Sequence, residues 1–284
     1  MRRLRIAAIS YLNTAPLMWD FDHGEVGRHF EISYTLPSDC ADALRDGTAD
    51  IGIIPAFAYS AIPGLAILPD VAIAAKGPVR SILLVSKKPI DEVRTVALDR
   101  SSMSSVALTK VLFAKWWGSG RQFRQMQPNL ELMLRECDAA LIIGDPALNI
   151  DRSRYLTFDL AEEWQKFTGK PFVFAFWTVR ESALAEASPD LDLARIFRDS
   201  RDHGLEPASV DQIAREWSSR LGRKESDLRS YLARNICYVL DAECREGMQL
   251  FFRYAAECGI ISKAPKLRFL ASKSPALMNN VRSS

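Results

Sequence analysis

Residues 30–55, "FEISYTLPSDCADALRDGTADIGIIP", decide the fold. "FEISYT" and "ADIGIIP" are short runs rich in β-branched and aromatic residues, and both read as strands. Between them Cys40, Ala43 and Leu44 fall at helical spacing, with Ser38 or Asp39 placed to cap the helix. Strand, helix, strand predicts a βαβ unit, and near-continuous apolar strands suit a sheet covered on both faces.

Working outward, "LRIAAI" before this unit reads as a first strand, and "LAILPDVAIAA" and "RSILLVSKK" after it as two more. A second cycle opens at "VRTVALD", runs through a helix from Val106 to about Trp117, and reaches "DAALIIGDPAL". The long apolar strand "PFVFAFWTVR", Pro171 to Arg180, follows. Beyond it helices are predicted near 190–201, 207–221, 225–236 and 241–258, the last with Gly259 as its stop and Phe251 and Phe252 on its apolar face. The final stretch, "SKSPALMNNVRSS", reads as a frayed end. Two αβ units without a flexible linker predict an α/β clamshell of two lobes, its ligand held in the cleft between them. Crossings are expected near 88–94 and 170–178. Lobe one is then discontinuous, 1–91 with 175–284, and lobe two is 92–174.

The composition is that of an ordinary water-soluble domain: 48% hydrophobic and 25% charged residues, with 37 basic against 35 acidic side chains. A net charge of +2 calls for neither nucleic acid nor a membrane surface as partner. No stretch approaches the roughly 20 apolar residues of a membrane span. Three arginines near the N-terminus resemble the start of an export signal, but the apolar run fails at Ser10. Five scattered cysteines without a CxxC pair read as thiols in a reducing compartment, so a cytoplasmic protein is expected.

Four places carry polar groups where a ligand would use them. "ISYLNTAPL", Ile9 to Leu17, crowds Ser10, Tyr11, Asn13 and Thr14 at the carboxyl end of the first strand, where open α/β sheets bind ligands. One helix cap needs only one oxygen, whereas four groups are present. "ALDRSSMSSVAL", Ala97 to Leu108, sets four serines before a helix, and Ser104 and Ser105 at a helix N-terminus suit a carboxylate or phosphate. Simple capping would use the same residues. "GPVRSILL" places Ser81 at the head of an apolar strand, and "IIGDPAL" ends a strand at Gly144 and Asp145, a turn as suited to structure as to a ligand. HExxH, CxxC and GxSxG patterns are missing, so neither a metal nor a cofactor nor a nucleophilic triad is expected.

Together these four stretches, with "DLAEEWQKFTGKPFVFAFW" (159–177) and "GMQLFFRYAAECGII" (247–261), resemble the chorismate dehydratases of the futalosine route to menaquinone. The resemblance runs from about residue 5 to 262. It implies a periplasmic-binding-protein-like type II fold used as an enzyme, a lyase (hydro-lyase) that removes water from chorismate to give 3-[(1-carboxyvinyl)oxy]benzoate. For that reaction Asn13 and Ser81, neutral hydrogen-bonding groups, are the expected catalytic residues. Ser10, Tyr11, Thr14, Ser104, Ser105, Gly144 and Asp145 would bind the small dianionic substrate. That family frequently has a basic residue where this chain has Met103. Two other readings stay open: the dihydroxynaphthoate-forming enzyme of the same pathway, and a non-catalytic binding protein for a small carboxylate.

Overall fold

The computed structural model describes residues 2–186 and 191–271. The expected frayed end at 272–284 lies outside these, as does the very start of the helix expected from 190. Two five-stranded sheets form the lobes. The first contains β1 (Leu4–Ile9), β2 (Phe30–Thr35), β3 (Ile51–Pro55), β4 (Leu65–Ala75) and β10 (Phe172–Arg180), in the order β2-β1-β3-β10-β4. The second contains β5 (Ile82–Ser86), β6 (Thr95–Asp99), β7 (Gln122–Met126), β8 (Ala139–Ile143) and β9 (Leu156–Asp159), in the order β7-β6-β8-β5-β9. In each, three strands run parallel (β1 with β2 and β3, β6 with β7 and β8). In each, one strand is antiparallel to both neighbours: β10 between β3 and β4, and β5 between β8 and β9. Both are the strands that arrive from the other lobe. The architecture is a two-lobed α/β clamshell.

The strand pairing moves the expected boundaries. β5, assigned by its sequence to lobe one, pairs wholly within the second sheet, so the first crossing is the "KGPVR" turn ahead of it and not residues 88–94. Likewise β10 belongs to the first sheet from Phe172, a little before the expected change at 175. An apolar run shows that a strand is buried; it does not show which neighbour buries it.

The βαβ unit has the expected helix, Pro37–Arg45, but Pro37 occupies its first turn and Leu36 its N-cap, with no side-chain cap from Ser38 or Asp39. Proline's missing N–H is harmless there. The helix predicted from Val106 spans Ser104–Lys115, and the C-terminal helices are Leu193–Gly204, Pro207–Leu221, Glu225–Arg234 and Ala242–Glu257. Among the described residues, no helix is long and apolar enough to cross a membrane.

One of these helices seats the first polar stretch. After β1 the chain turns into a 3-10 segment, Leu12–Met18, with Pro16 inside it. The Ser200 hydroxyl, on Leu193–Gly204, accepts the Asp20 N–H at 3.0 Å and donates to the Leu17 carbonyl at 3.0 Å. Four residues on, Gly204 lets the helix touch the segment directly: a Cβ there would lie 2.0 Å from the Pro16 carbonyl oxygen. Backbone cannot yield as a flexible side chain can, so Gly204→Ala must push the two apart. We expect Gly204→Ala to lower unfolding stability by about 1–3 kcal/mol, the usual cost of overpacking, as measured by urea unfolding. Wild-type stability would mean that the segment shifts freely on its seat.

Candidate active site

A pocket opens between the two sheets. Tyr11, Asn13 and Ser81 reach it from the first lobe and its crossing, and Ser104, Ser105 and Gly144 from the second. About 450 Å³ of empty space lies between its walls, part of it open to solvent. Its remaining walls are mostly apolar, among them Ile73, Ile82 and Phe174, and among the described residues no Lys, Arg or His lines it.

Ser81 is held by an unusual turn. The Asp159 carboxylate, at the end of β9, accepts the Val79 N–H at 3.0 Å and the Arg80 N–H at 2.6 Å. Arg80 takes a positive φ of 65°, rare for a residue with a side chain, and its guanidinium pairs with Asp227 at 2.7 Å. This aims Ser81 at the cleft while leaving it fully buried. Tyr231, from the helix Glu225–Arg234, donates its hydroxyl to Ser81 Oγ at 2.8 Å. With that oxygen accepting, the Ser81 proton is left to point elsewhere. Its intramolecular alternative, the Val79 carbonyl, lies at a long 3.5 Å. Burial raises the Tyr231 phenol well above its ordinary pKa against the opposing hydrogen bonds of Ser81 and Asn13, so it stays a neutral donor.

Asn13 sits in the 3-10 segment, nearly buried, its amide against that same Tyr231 hydroxyl. The turn before it closes through the Thr14 N–H to the Tyr11 carbonyl at 2.9 Å. The Leu12 N–H crosses the cleft to the Asp145 carboxylate, at 3.1 and 3.4 Å to its two oxygens. Beside it Gly144 has φ +67°, and a Cβ there would fall 2.6 Å from the Tyr11 ring. Only glycine fits under that ring. Burial pushes the Tyr11 phenol up to about 12, helped by the charge of Asp99.

Opposite, the Ser104–Lys115 helix starts without a side-chain cap, from Met103. Its first N–H groups have no partner inside the helix. Ser105 is almost fully buried beside the pocket. The Ser104 hydroxyl is already committed to the other lobe: it accepts the Phe57 N–H at 3.1 Å and donates to the Phe174 carbonyl at 2.8 Å. For Ser104 this leaves the backbone N–H, not the hydroxyl, to meet a ligand.

Three residues singled out from the sequence are not on this pocket. Ser10 is exposed and its hydroxyl donates to the Thr35 carbonyl at 3.2 Å. Thr14 is buried, with its hydroxyl unpaired among the described residues. Both line a separate hollow walled by Trp217 and Arg220. Asp145 turns to Leu12 instead of the pocket. Tyr231 escaped the sequence reading altogether, because a tyrosine in an amphipathic helix looks like any core aromatic. The clue was its buried hydroxyl, which needs a partner.

The comparisons with known proteins agree with this architecture. The family model described as "Menaquinone biosynthesis" matches residues 4–257. A chorismate dehydratase from Thermus thermophilus is 29% identical over 269 residues, covering 88% of this chain and 94% of that protein. Among solved structures, a protein of Archaeoglobus fulgidus superposes with a TM-score of 0.70 at 16% identity, over 91% of this chain and 98% of its own. The alkanesulfonate-binding protein of Xanthomonas axonopodis pv. citri, bound to MOPS, gives 0.67 at 16% identity, over 93% and 94%. These two establish the periplasmic-binding-protein-like fold and no more. The match over residues 4–257 places the chain in the menaquinone-biosynthesis family.

Proposed function

We propose that the chain is a chorismate dehydratase, a lyase acting in the cytoplasm on a small dianion. The observation that carries this reading is the polarity of the cleft: a neutral donor chain, Tyr231 to Ser81, faces the uncapped N-terminus of the Ser104–Lys115 helix. The family match and the chorismate dehydratase of T. thermophilus supply the substrate.

The chemistry asks for what these groups offer. Chorismate carries a hydrogen and an enolpyruvyl ether on C3 and a hydroxyl on C4. When the C3–H bond breaks, its electron pair forms the C3–C4 double bond and the C4–O bond releases hydroxide. The ring becomes benzenoid, and the hydroxide takes up a proton to leave as water. The Ser81 O–H, polarised by the Tyr231 hydrogen bond, donates to the departing oxygen. The Asn13 amide donates to the developing negative charge, and the Ser105 hydroxyl, beside the free N–H groups of its helix start, donates to a carboxylate. Preorganised donors of this kind stabilise charge without reorganising. The proton acceptor is a carboxylate of the substrate itself, since no His or Glu stands on the pocket wall among the described residues.

Incubation with chorismate, followed by absorbance and mass spectrometry, should yield 3-[(1-carboxyvinyl)oxy]benzoate; untouched chorismate would leave the dihydroxynaphthoate-forming enzyme or a binding protein. An analogue with its enolpyruvyl carboxylate esterified should bind without reacting, whereas normal turnover would put the base on the protein. Ser105→Ala should raise the Michaelis constant about ten- to a hundred-fold, the worth of one charge-assisted hydrogen bond. If the folded variant keeps its Michaelis constant, the carboxylate lies elsewhere. Asn13→Asp replaces a donor by a negative charge beside a dianion. It should melt near the wild-type temperature yet lose at least about a hundred-fold in turnover, by analogy with removal of one preorganised donor. Retained turnover would make Asn13 a structural residue.

A further inference from the structure

We propose that Asp145 is a positioning residue: by holding the Leu12 N–H it fixes the turn that presents Asn13 and joins the two lobes over the pocket. This inference rests on the dehydratase reading for its kinetic consequences and on geometry alone for its structural ones.

Leu12 is fully buried, so its N–H has no water to turn to. Its acceptor is the Asp145 carboxylate of the other lobe, at 3.1 Å. The backbone that brings Asp145 there is specific. Gly144, at φ +67° and ψ −149°, redirects the chain beneath the Tyr11 ring, and its N–H is held by the Ser81 carbonyl at 2.7 Å. The contact therefore ties together the carrier turns of both proposed catalytic residues: Leu12 precedes Asn13, and Ser81 supports Gly144. An unpaired buried N–H costs about 1–3 kcal/mol, so the Asn13 turn has one preferred geometry while the acceptor is present.

Asp145 also carries a signature that a passive contact lacks. The ionisable groups facing it are the phenols of Tyr11 and Tyr231, both raised by burial and both raised further by its charge. Burial pushes the Asp145 carboxyl up to about 6, opposed by the Leu12 N–H. In an opened cleft the group would meet water and return to about 4. Closing therefore takes up a proton. The closed form is favoured most below about pH 4 and loses that advantage as the pH rises through about 6. A neutral carboxylic acid still accepts the Leu12 N–H through its carbonyl oxygen, so the contact itself survives protonation.

The test uses Asp145→Asn and Asp145→Ala, with X-ray scattering of the unliganded protein at pH 4 and 8 and chorismate kinetics over the same range. Asparagine keeps the acceptor and cannot ionise; alanine removes the acceptor. The alanine variant should be more open at both pH values and show a Michaelis constant at least about tenfold higher, one lost hydrogen bond to a charged group. The asparagine variant should be nearly as closed as wild type at pH 4 and more closed at pH 8. The pH dependence of closure seen in the wild type should be gone. Wild-type scattering and kinetics in the alanine variant would overturn the proposal. So would an unchanged pH dependence in the asparagine variant, which decides the matter alone if the alanine variant does not fold. If wild-type protein leaves chorismate untouched, the dehydratase reading fails, and the scattering still decides the part played by Asp145.

Discussion

The cleft depends on one buried carboxylate, Asp159. It ends β9, accepts the Ala161 N–H to cap the helix Leu160–Thr168, and holds the Val79 and Arg80 N–H groups of the first crossing. Burial raises its pKa, and those backbone N–H groups oppose the rise. A left-handed residue with a side chain costs about 1–2 kcal/mol. Two hydrogen bonds to a carboxylate, each about 1.5–3 kcal/mol, offset that strain at Arg80. The product of this balance is the position of Ser81. Without it, the residue that accepts the Tyr231 hydroxyl would ride on a turn that has lost both of its backbone N–H anchors.

The pocket is built from dipoles and not from ions. Its polar groups are an amide, hydroxyls and the end of a helix, while charged side chains serve at its margins: Arg80 on Asp227, Arg223 on Asp227, Asp145 on Leu12. Neutral donors are well suited to a reaction in which charge appears and departs on the substrate. A fixed cation would bind the dianion in its ground state as firmly as in its transition state, and such uniform binding does not raise turnover. The Met103 side chain, partly buried at the foot of the helix, keeps that margin apolar.

Much of the fold was legible because its signals are local. Apolar runs marked β1, β3, β4, β5, β8 and β10, and helical spacing marked the helices. What was not legible is what local signals cannot carry. β5 was recognised as a strand but assigned to the wrong lobe, since its hydrophobicity is equally satisfied in either sheet. The same holds for the site. Asn13, Ser81, Ser105 and Gly144 could be picked out as polar or glycine residues at strand ends and a helix start. But Ser10, Thr14 and Asp145 stand in the same motifs and face elsewhere, because the local backbone path, which composition does not reveal, decides which side chain meets the cleft. Ser104 shares the pocket wall, yet its hydroxyl is bound to Phe57 and Phe174, partners far away in the chain. Tyr231, about 150 residues from the serine it touches, carried no motif at all.

The placement of β10 has a consequence for how the protein comes into being. It is an inner strand of the first sheet, between β3 and β4, yet it follows every strand of the second sheet in the chain. During synthesis the second lobe has all its strands available before the first lobe can complete its sheet. Until Phe172–Arg180 emerges, β3 and β4 each present an unpaired apolar edge, the kind of surface that invites aggregation. Long-range pairing of this sort is slow. Assembly of the first lobe must therefore wait on the chain that follows the second, and of the two walls of the pocket the second lobe's can be completed first.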